Sequence, residues 1–254
     1  MAENHIRRWM QALALAAVFM AYPVSALWES GGEGETVQAG EKTLLSQDAG
    51  SGAESEAQED REKGEKEDMQ FRAAITFDDG PNAQYTPVLL DGLKERGVKA
   101  TFFVIGTNIE KEGNDEIIRR MYEEGHLIGN HTYHHVNLAN MSSEDARREL
   151  QMTDSLIEKI TGEKPSLVRP PFGAFPQGLE EPDKLYVKWT VDSRDWVTKN
   201  TEEIVRKVVT DTEENDIILM HDCYGTSVEA ALQIIDILKE KGFEFVTADQ
   251  LLME

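Results

Sequence analysis

Short apolar runs alternate along residues 71–254 with longer segments in which apolar residues recur at helical spacing. Runs of this kind, bounded by turn residues, predict buried strands. The sequence predicts seven of them, at residues 71–77, 100–106, 127–129, 166–169, 186–191, 217–220 and 243–246.

The segments between these runs predict amphipathic helices over residues 87–96, 115–124, 142–160, 201–210 and 227–241. Glycines follow four of them, as is common at helix C-termini, namely Gly97, Gly125, Gly162 and Gly242. Ser142 and Asp145 open the longest helix and resemble a capping box.

Alternation of strand and helix at this spacing predicts an α/β fold, with a parallel sheet covered by helices. Six or seven strands in about 185 residues are too few for a full eight-fold barrel. The sequence therefore predicts one domain over residues 71–254, built as a compact, incomplete (β/α) barrel with about seven parallel strands.

Residues 1–70 have a different composition. Residues 29–70 contain thirteen Asp or Glu, four Lys or Arg and almost no large apolar residues. Such a segment cannot bury enough surface to offset its chain entropy, so it is interpreted as an acidic disordered linker.

The N-terminus predicts export. Arg7 and Arg8 precede a mostly apolar run, and the small residues Val24, Ser25 and Ala26 suit cleavage after Ala26. A retained membrane anchor within residues 7–28 stays open, because the stretch is long enough to span a bilayer. Both hypotheses place the rest of the chain outside the cytoplasm, in the medium or at the cell surface. The third is a cytoplasmic chain with an apolar start.

The charge and the single cysteine exclude several classes. With 48 Asp or Glu against 26 Lys or Arg, the chain carries a net charge of −22, which argues against a nucleic-acid partner. Cys223 alone can form neither an intrachain disulfide nor a four-thiolate zinc site, and it is interpreted as a packing residue. His126 is interpreted as structural and His134 as a loop or surface residue.

Two clusters of polar residues at strand ends are of the types that bind metal ions. Asp78 and Asp79 follow the first strand, where a cation would remove the cost of neighbouring charges. His131 and His135 follow the third strand and can share a face on one helical turn. One Asp and two His form a ligand set for a divalent metal, and the spare carboxylate can act as a base. Each cluster also has a purely structural interpretation. A tight turn would explain Asp78 and Asp79, and His131 and His135 could be structural histidines.

Further polar residues follow later strands. Arg169 ends an apolar run, where a fixed charge suits pairing with a buried carboxylate, although a surface arginine in a turn stays open. Asp192–Trp196 and Leu219–Asp222 also follow strands, and an Asp and a His at strand ends can form a pair in which the carboxylate orients the imidazole. Trp196 supplies an apolar wall or simple core packing. All these clusters follow strands, where barrels of this kind place their active sites.

Taken together, the ordered motifs resemble the polysaccharide deacetylase family, also called the NodB-homology domain, over roughly residues 71–252. The matching segments are Thr76–Gly80, His131–His135, Arg169–Gly173, Asp192–Trp196 and Leu219–His221, with further likeness at Ala100–Val104 and Phe245–Thr247. The resemblance implies a distorted (β/α) barrel and metal-dependent removal of acetyl groups from amino sugars or sugar esters.

The resemblance also implies a role for each matching residue. Asp79, His131 and His135 would be metal ligands, with zinc the usual ion and cobalt, nickel or manganese as alternatives. Asp78 would be the catalytic base and Arg169 its partner, while Asp195 would tune the general acid His221. The pocket for the acetyl group would be lined by Trp196 and Leu219, with the backbone N–H of Phe172 donating to the oxyanion.

Phe172 is a departure from the family, in which this position is commonly Tyr. The change keeps the backbone N–H and removes a hydroxyl, so it bears on substrate preference more than on chemistry.

The expected substrate is the N-acetylglucosamine of peptidoglycan, because an exported enzyme on an acidic linker suits a cell-wall glycan. Chitin oligomers, poly-N-acetylglucosamine and acetylated xylan stay open, since the same motifs serve them all. A non-catalytic carbohydrate-binding module on the same fold is the alternative from another class, and it would be expected to lose a ligand, the base or the acid. A protein deacetylase or an unrelated metallohydrolase has less support. A monomer is expected.

Overall fold

The computed structural model describes residues 71–175, 178–179 and 182–252. All of them belong to the second of the two units into which the chain divides, Glu59–Glu254. The predicted export segment and acidic linker, residues 1–70, lie outside the described residues. Within the described part of the chain, no helix has the length and apolar character needed to cross a membrane.

The described residues contain one sheet of eight strands, and every strand pair in it is parallel. Seven strands follow the order β5-β4-β3-β2-β1-β7-β6, while β8 pairs with the first residues of β1. The predicted incomplete barrel of about seven parallel strands is confirmed. The strands are β1 (Phe71–Gly80), β2 (Thr101–Val104), β3 (Leu127–Asn130), β4 (Leu167–Val168), β5 (Leu185–Tyr186), β6 (Val191–Asp192), β7 (Asp216–His221) and β8 (Phe243–Phe245).

The five predicted helices are present within two residues of their predicted bounds, and three helices of four or five residues were not predicted. Ser142 caps the longest helix, because its Oγ accepts a hydrogen bond from the Asp145 N–H at 3.1 Å. The helices are α1 (Thr86–Arg96), α2 (Gly106–Ile109), α3 (Asn114–Glu123), α4 (Ser143–Thr161), α5 (Asp195–Thr198), α6 (Thr201–Asp211), α7 (Gly225–Glu240) and α8 (Ala248–Leu252), with 3₁₀ turns at Leu138–Asn140 and Pro171–Gly173.

The two faces of the sheet bury different sets of side chains. On β1, Ile75 and Phe77 join the large core beneath the helices, which also holds Phe102 of β2. Ala74 points to the other face and joins a smaller cluster that includes Phe103. Because side chains alternate along a strand, Thr76 and Asp78 share this inner face with Ala74. The inner face therefore carries the polar residues of the first motif.

The prediction of a single strand over residues 186–191 is wrong. This stretch contains two strands, β5 and β6, at opposite edges of the sheet, and Val187–Thr190 crosses the open side between them. The first residue of the crossing segment donates to the Val168 carbonyl at 2.8 Å, and the last donates to the Ile217 carbonyl at 2.9 Å. Strands β4 and β7, each next to an edge strand, thus satisfy the backbone N–H groups at the two ends of the segment.

Candidate active site

Five strands, β1, β3, β4, β6 and β7, deliver the predicted site residues to the carboxyl-terminal end of the sheet. Asp78 near the end of β1 lies opposite His221 at the end of β7. Asn130, which precedes the histidine motif, lies opposite Val168, which precedes Arg169. Because neighbouring strands are parallel, their carboxyl ends coincide and bring motifs from distant parts of the chain together.

Asp79, His131 and His135 place their ligand atoms within 4.8 Å of one another. Asp79 Oδ1 lies 3.5 Å from His131 Nε2 and 3.2 Å from His135 Nε2. The same oxygen is buried and makes no hydrogen bond to the described residues. Burial alone would raise the pKa of Asp79, but positive charge on the neighbouring imidazoles holds it well below its usual range when they are protonated.

The orientation of His131 shows that this set fits a cation. Its Nδ1 lies 2.5 Å from the Arg169 carbonyl oxygen, which can only accept, so Nδ1 carries the proton. In the neutral ring, Nε2 then presents a bare lone pair to Asp79 and, at 3.7 Å, to Asp78 Oδ2. A lone pair facing two carboxylates is repulsive without a positive charge between them. One carboxylate and two imidazoles are ligands that suit zinc and related ions.

The prediction that His131 and His135 share a helical turn is wrong. Residues 131–135 form a loop, in which Thr132 (φ 66°) and His135 (φ 56°) adopt left-handed backbone conformations. The loop still brings the two rings together, with centroids 5.1 Å apart. Asp79 is also left-handed, at φ 72°. Two of the three clustered residues, Asp79 and His135, thus adopt a conformation that is unfavourable for residues other than glycine.

Asp78 is paired with Arg169, and both side chains are buried. Arg169 Nη1 donates to Asp78 Oδ1 at 2.8 Å and to Thr76 Oγ1 at 2.7 Å. Its Nη2 donates to the Lys188 carbonyl at 3.1 Å, and the guanidinium lies over the Phe103 ring at 4.1 Å. Burial lowers the pKa of Arg169, while the charge of Asp78 opposes that change. The pair compensates two charges that would be costly to bury separately.

Asp195 holds His221 by two hydrogen bonds. Its Oδ1 lies 2.8 Å from His221 Nδ1, and its Oδ2 accepts from the His221 backbone N–H at 2.8 Å. Burial alone would lower the pKa of His221, but the carboxylate of Asp195 outweighs this effect and raises the pKa to about 9. The opposite ring nitrogen, Nε2, lies 3.9 Å from Asp79 Oδ2 and so faces the cluster of Asp79 and the two histidines.

The apolar residues predicted for the pocket differ in exposure. Phe172 is 69 % exposed at φ 60°, and its ring makes a T-shaped contact with that of His135, with centroids 4.9 Å apart. Trp196, next to Asp195 on α5, is 53 % exposed. Leu219 is buried and shares the inner face with Ile217, two residues earlier on β7. Phe172 and Trp196 therefore present exposed ring surfaces, whereas the Leu219 side chain is part of the buried inner face of the sheet.

A polar cleft of about 420 Å³ opens beside the ligand cluster. Cys223 contributes to its wall, but burial raises the pKa of the thiol to about 12, so it is protonated at neutral pH and unsuited to act as a nucleophile. The cleft is also lined by Asp79, His135, Asn82, Asn108 and Lys111.

Two further histidines among the described residues, His126 and His134, lie outside this cluster. His126 is buried and accepts a hydrogen bond from the Ala100 N–H at 3.1 Å, and burial lowers its pKa to about 4. His134 is exposed and contacts Glu149. The interpretation of the two as a structural and a surface residue agrees with these positions.

Several contacts that support the site were not predicted from the sequence. Asn108 Nδ2 donates to the Asp79 carbonyl at 2.7 Å and so holds a left-handed residue in place. Asp222, fully buried beside His221, accepts from Thr86, and burial raises its pKa to about 7. A Cβ at Gly80 would lie 2.6 Å from Asp222 Oδ2, so only glycine fits there. Gly80 and Asp222 lie in or beside the motifs, but no spacing rule shows these contacts, because each joins residues that are distant in sequence.

Comparisons with known proteins show the family. Residues 65–185 match the family model described as polysaccharide deacetylase. A peptidoglycan-N-acetylglucosamine deacetylase of Bacillus cereus is 40% identical over 182 residues, covering 68% of this chain and 66% of that protein. The peptidoglycan-N-acetylmuramic acid deacetylase PdaC of Bacillus subtilis is 41% identical over 179 residues, covering 70% of this chain and 38% of that protein.

Solved structures agree. That of PdaC matches with a TM-score of 0.70 at 38% identity, covering 73% of this chain and 92% of the solved one. A family 4 acetyl xylan esterase from Clostridium thermocellum, in complex with a cobalt ion, matches with a TM-score of 0.67 at 35% identity, covering 72% and 90%. The chain therefore belongs to the polysaccharide deacetylase family, as the motifs indicated. It spans about two thirds of the B. cereus relative and 38% of PdaC.

Replacing Arg169 tests the buried pair. Arg169→Met leaves the Asp78 carboxylate buried without its partner, so the free energy of unfolding should fall by about 3–5 kcal/mol. Adding Asp78→Asn removes the orphaned charge and should recover part of that loss. Urea unfolding of the single and double variants measures both effects. A double variant as unstable as the sum of the two single variants would contradict the pairing.

Proposed function

We propose that this protein is a metal-dependent deacetylase that hydrolyses the N-acetyl groups of peptidoglycan N-acetylglucosamine and releases acetate. The observation that carries the proposal is the placement of Asp78 and His221 beside one ligand cluster, each with its own buried partner. The deacetylases among its relatives support the same chemistry.

Asp79, His131 and His135 would hold one divalent cation, with zinc first and cobalt, nickel and manganese as alternatives. The orphaned Asp79 Oδ1 and the lone pair of His131 support this assignment, as does the cobalt ion bound by the related acetyl xylan esterase. When bound, the cation would polarise the acetyl carbonyl and lower the pKa of water.

Asp78 would take the proton of the attacking water. Its Oδ2 lies 3.7 Å from His131 Nε2, next to the ligand cluster, while Oδ1 is occupied by Arg169. Arg169 thus leaves one carboxylate oxygen free and fixes its direction. A base held in this way contributes through positioning as well as proton transfer.

His221 would donate a proton from Nε2 to the departing amine nitrogen. Its Nδ1 is bound to Asp195, so the second proton of the imidazolium lies on the nitrogen that faces the site. Phe172 would donate its backbone N–H to the oxyanion, and Trp196 with Leu219 would bound the space for the acetyl methyl. A well-placed oxyanion donor is worth about 3–4 kcal/mol.

Peptidoglycan is the favoured substrate because two curated relatives are named for its two acetylated sugars. The polar cleft and the exposed rings of Phe172 and Trp196 suit a sugar chain. Chitin oligomers, poly-N-acetylglucosamine and acetylated xylan are the alternative substrates. The rival, a non-catalytic carbohydrate-binding module, would not need both buried catalytic partnerships. We place the enzyme at the cell surface or in the medium, as a monomer.

Acetate release from purified peptidoglycan, N-acetylated chitin oligomers and acetyl-xylan tests the function directly. We expect release from peptidoglycan to be fastest, to stop with chelator and to return with added zinc or cobalt. Faster release from one of the other two glycans would contradict peptidoglycan as the substrate and favour that glycan. Binding of all three glycans without acetate release, with metal present, would favour the carbohydrate-binding module.

Asp78→Asn should separate turnover from metal binding. The variant keeps all three ligands but lacks the base, so kcat should fall by about 100- to 10,000-fold while bound metal stays stoichiometric. Asp79→Asn, by contrast, should lose the metal as well. Acetate release and metal analysis on both variants make the comparison. Near-normal turnover in Asp78→Asn would refute the assignment of the base.

Asp195→Asn should move the alkaline limb of the pH–rate profile. Asp195 raises the pKa of His221, which must be protonated to act as an acid. Removing the carboxylate lowers that pKa, so activity should be lost at lower pH than in the wild type. Asp192→Asn, at a neighbouring partly buried carboxylate, serves as the control and should leave the limb in place. An unmoved limb in Asp195→Asn would contradict the pairing.

A further inference from the structure

The loop that carries two of the proposed metal ligands, residues 131–135, is costly to form by itself. Thr132 and His135 both have positive φ values, and each such residue costs of order 1 kcal/mol or more when it is not glycine. The loop therefore depends on contacts with other parts of the protein to keep His131 and His135 at a fixed distance from each other.

Glu149 on α4 supplies the densest of these contacts. Its side chain is buried, at 8 % exposure. Its Oε2 accepts from the backbone N–H groups of Tyr133 at 3.1 Å and His134 at 2.8 Å, and its Oε1 lies 2.8 Å from His134 Nδ1. Glu149 thus binds Tyr133 and His134 in the central part of the loop and makes no hydrogen bond to His131 or His135 themselves.

Other contacts complete the backbone of the loop. Asn130 Oδ1 accepts from the Thr132 N–H at 2.7 Å, and its Nδ2 donates to the α4 carbonyl of Leu150 at 2.8 Å. The carbonyls of Thr132 and Tyr133 accept from the first two N–H groups of α2, at 3.0 and 2.9 Å. With these groups satisfied, Glu149 is the partner on which the two central N–H groups rely.

We propose that Glu149 is a positioning residue for the metal, which sets the distance between His131 Nε2 and His135 Nε2 by fixing the backbone between them. The inference rests on the proposed metal site. Outer partners of metal ligands typically contribute 10–100-fold in metal affinity, and a similar factor is expected here. Without Glu149, these two partly buried N–H groups would lack an acceptor and the loop would rearrange, because an unsatisfied donor is costly.

Three variants test the proposal by cobalt titration of chelator-stripped protein, with affinity from a competing chelator and geometry from the visible absorption bands. Glu149→Leu removes both acceptor oxygens at similar volume and should weaken cobalt affinity by about 10–100-fold. Glu149→Gln has an amide oxygen able to accept the same two N–H bonds and should retain most of the affinity. Glu158→Leu, at an exposed position of α4, is the matched control and should bind like wild type.

Two results would overturn the proposal. The first is Glu149→Leu protein that unfolds more easily yet binds cobalt with unchanged affinity and spectrum, which would mark a purely structural role. The second is rapid hydrogen exchange at the Tyr133 and His134 amides in wild-type apoprotein, a measurement that holds even if Glu149→Leu does not fold. If wild-type protein binds no cobalt, the proposed metal site is refuted, and this inference is refuted with it.

Discussion

The buried guanidinium of Arg169 is the contact on which the inner face of the sheet depends. It joins β1 through Thr76 and Asp78, stacks on Phe103 of β2 and bonds to the backbone that crosses the open side. The Arg169 carbonyl meanwhile fixes the tautomer of His131. One residue thus orients the proposed base and one proposed metal ligand, so the stability of the half-closed sheet and the geometry of the site are coupled.

Much of the fold was predictable because its signals are local. Apolar runs such as residues 71–77 end where polar residues begin, so strand ends and site residues could be placed together. Helices shorter than six residues, such as α5, have too few positions to show a period. The stretch at 186–191 was misassigned because an apolar pattern shows which residues are buried and not which strands they pair with.

The site was predictable as a set of residues and less so as a geometry. Spacing of four between His131 and His135 predicted proximity correctly, but the left-handed backbone of the loop, and hence the absence of a helical turn there, depends on partners elsewhere. Glu149 illustrates the limit, because a buried polar position on a helix does not reveal its acceptor role. Such contacts become visible only when the chain is folded.

The segment Val187–Thr190 acts as a tether of fixed length across the mouth of the half-barrel. An extended chain reaches at most about 3.3–3.6 Å per residue, so four residues limit how far the two edges can part. An insertion there would let the two edge strands move apart and would break the hydrogen bond from Arg169 to the Lys188 carbonyl. Homologues should therefore vary in the lengths of their outer loops while conserving the length of this span.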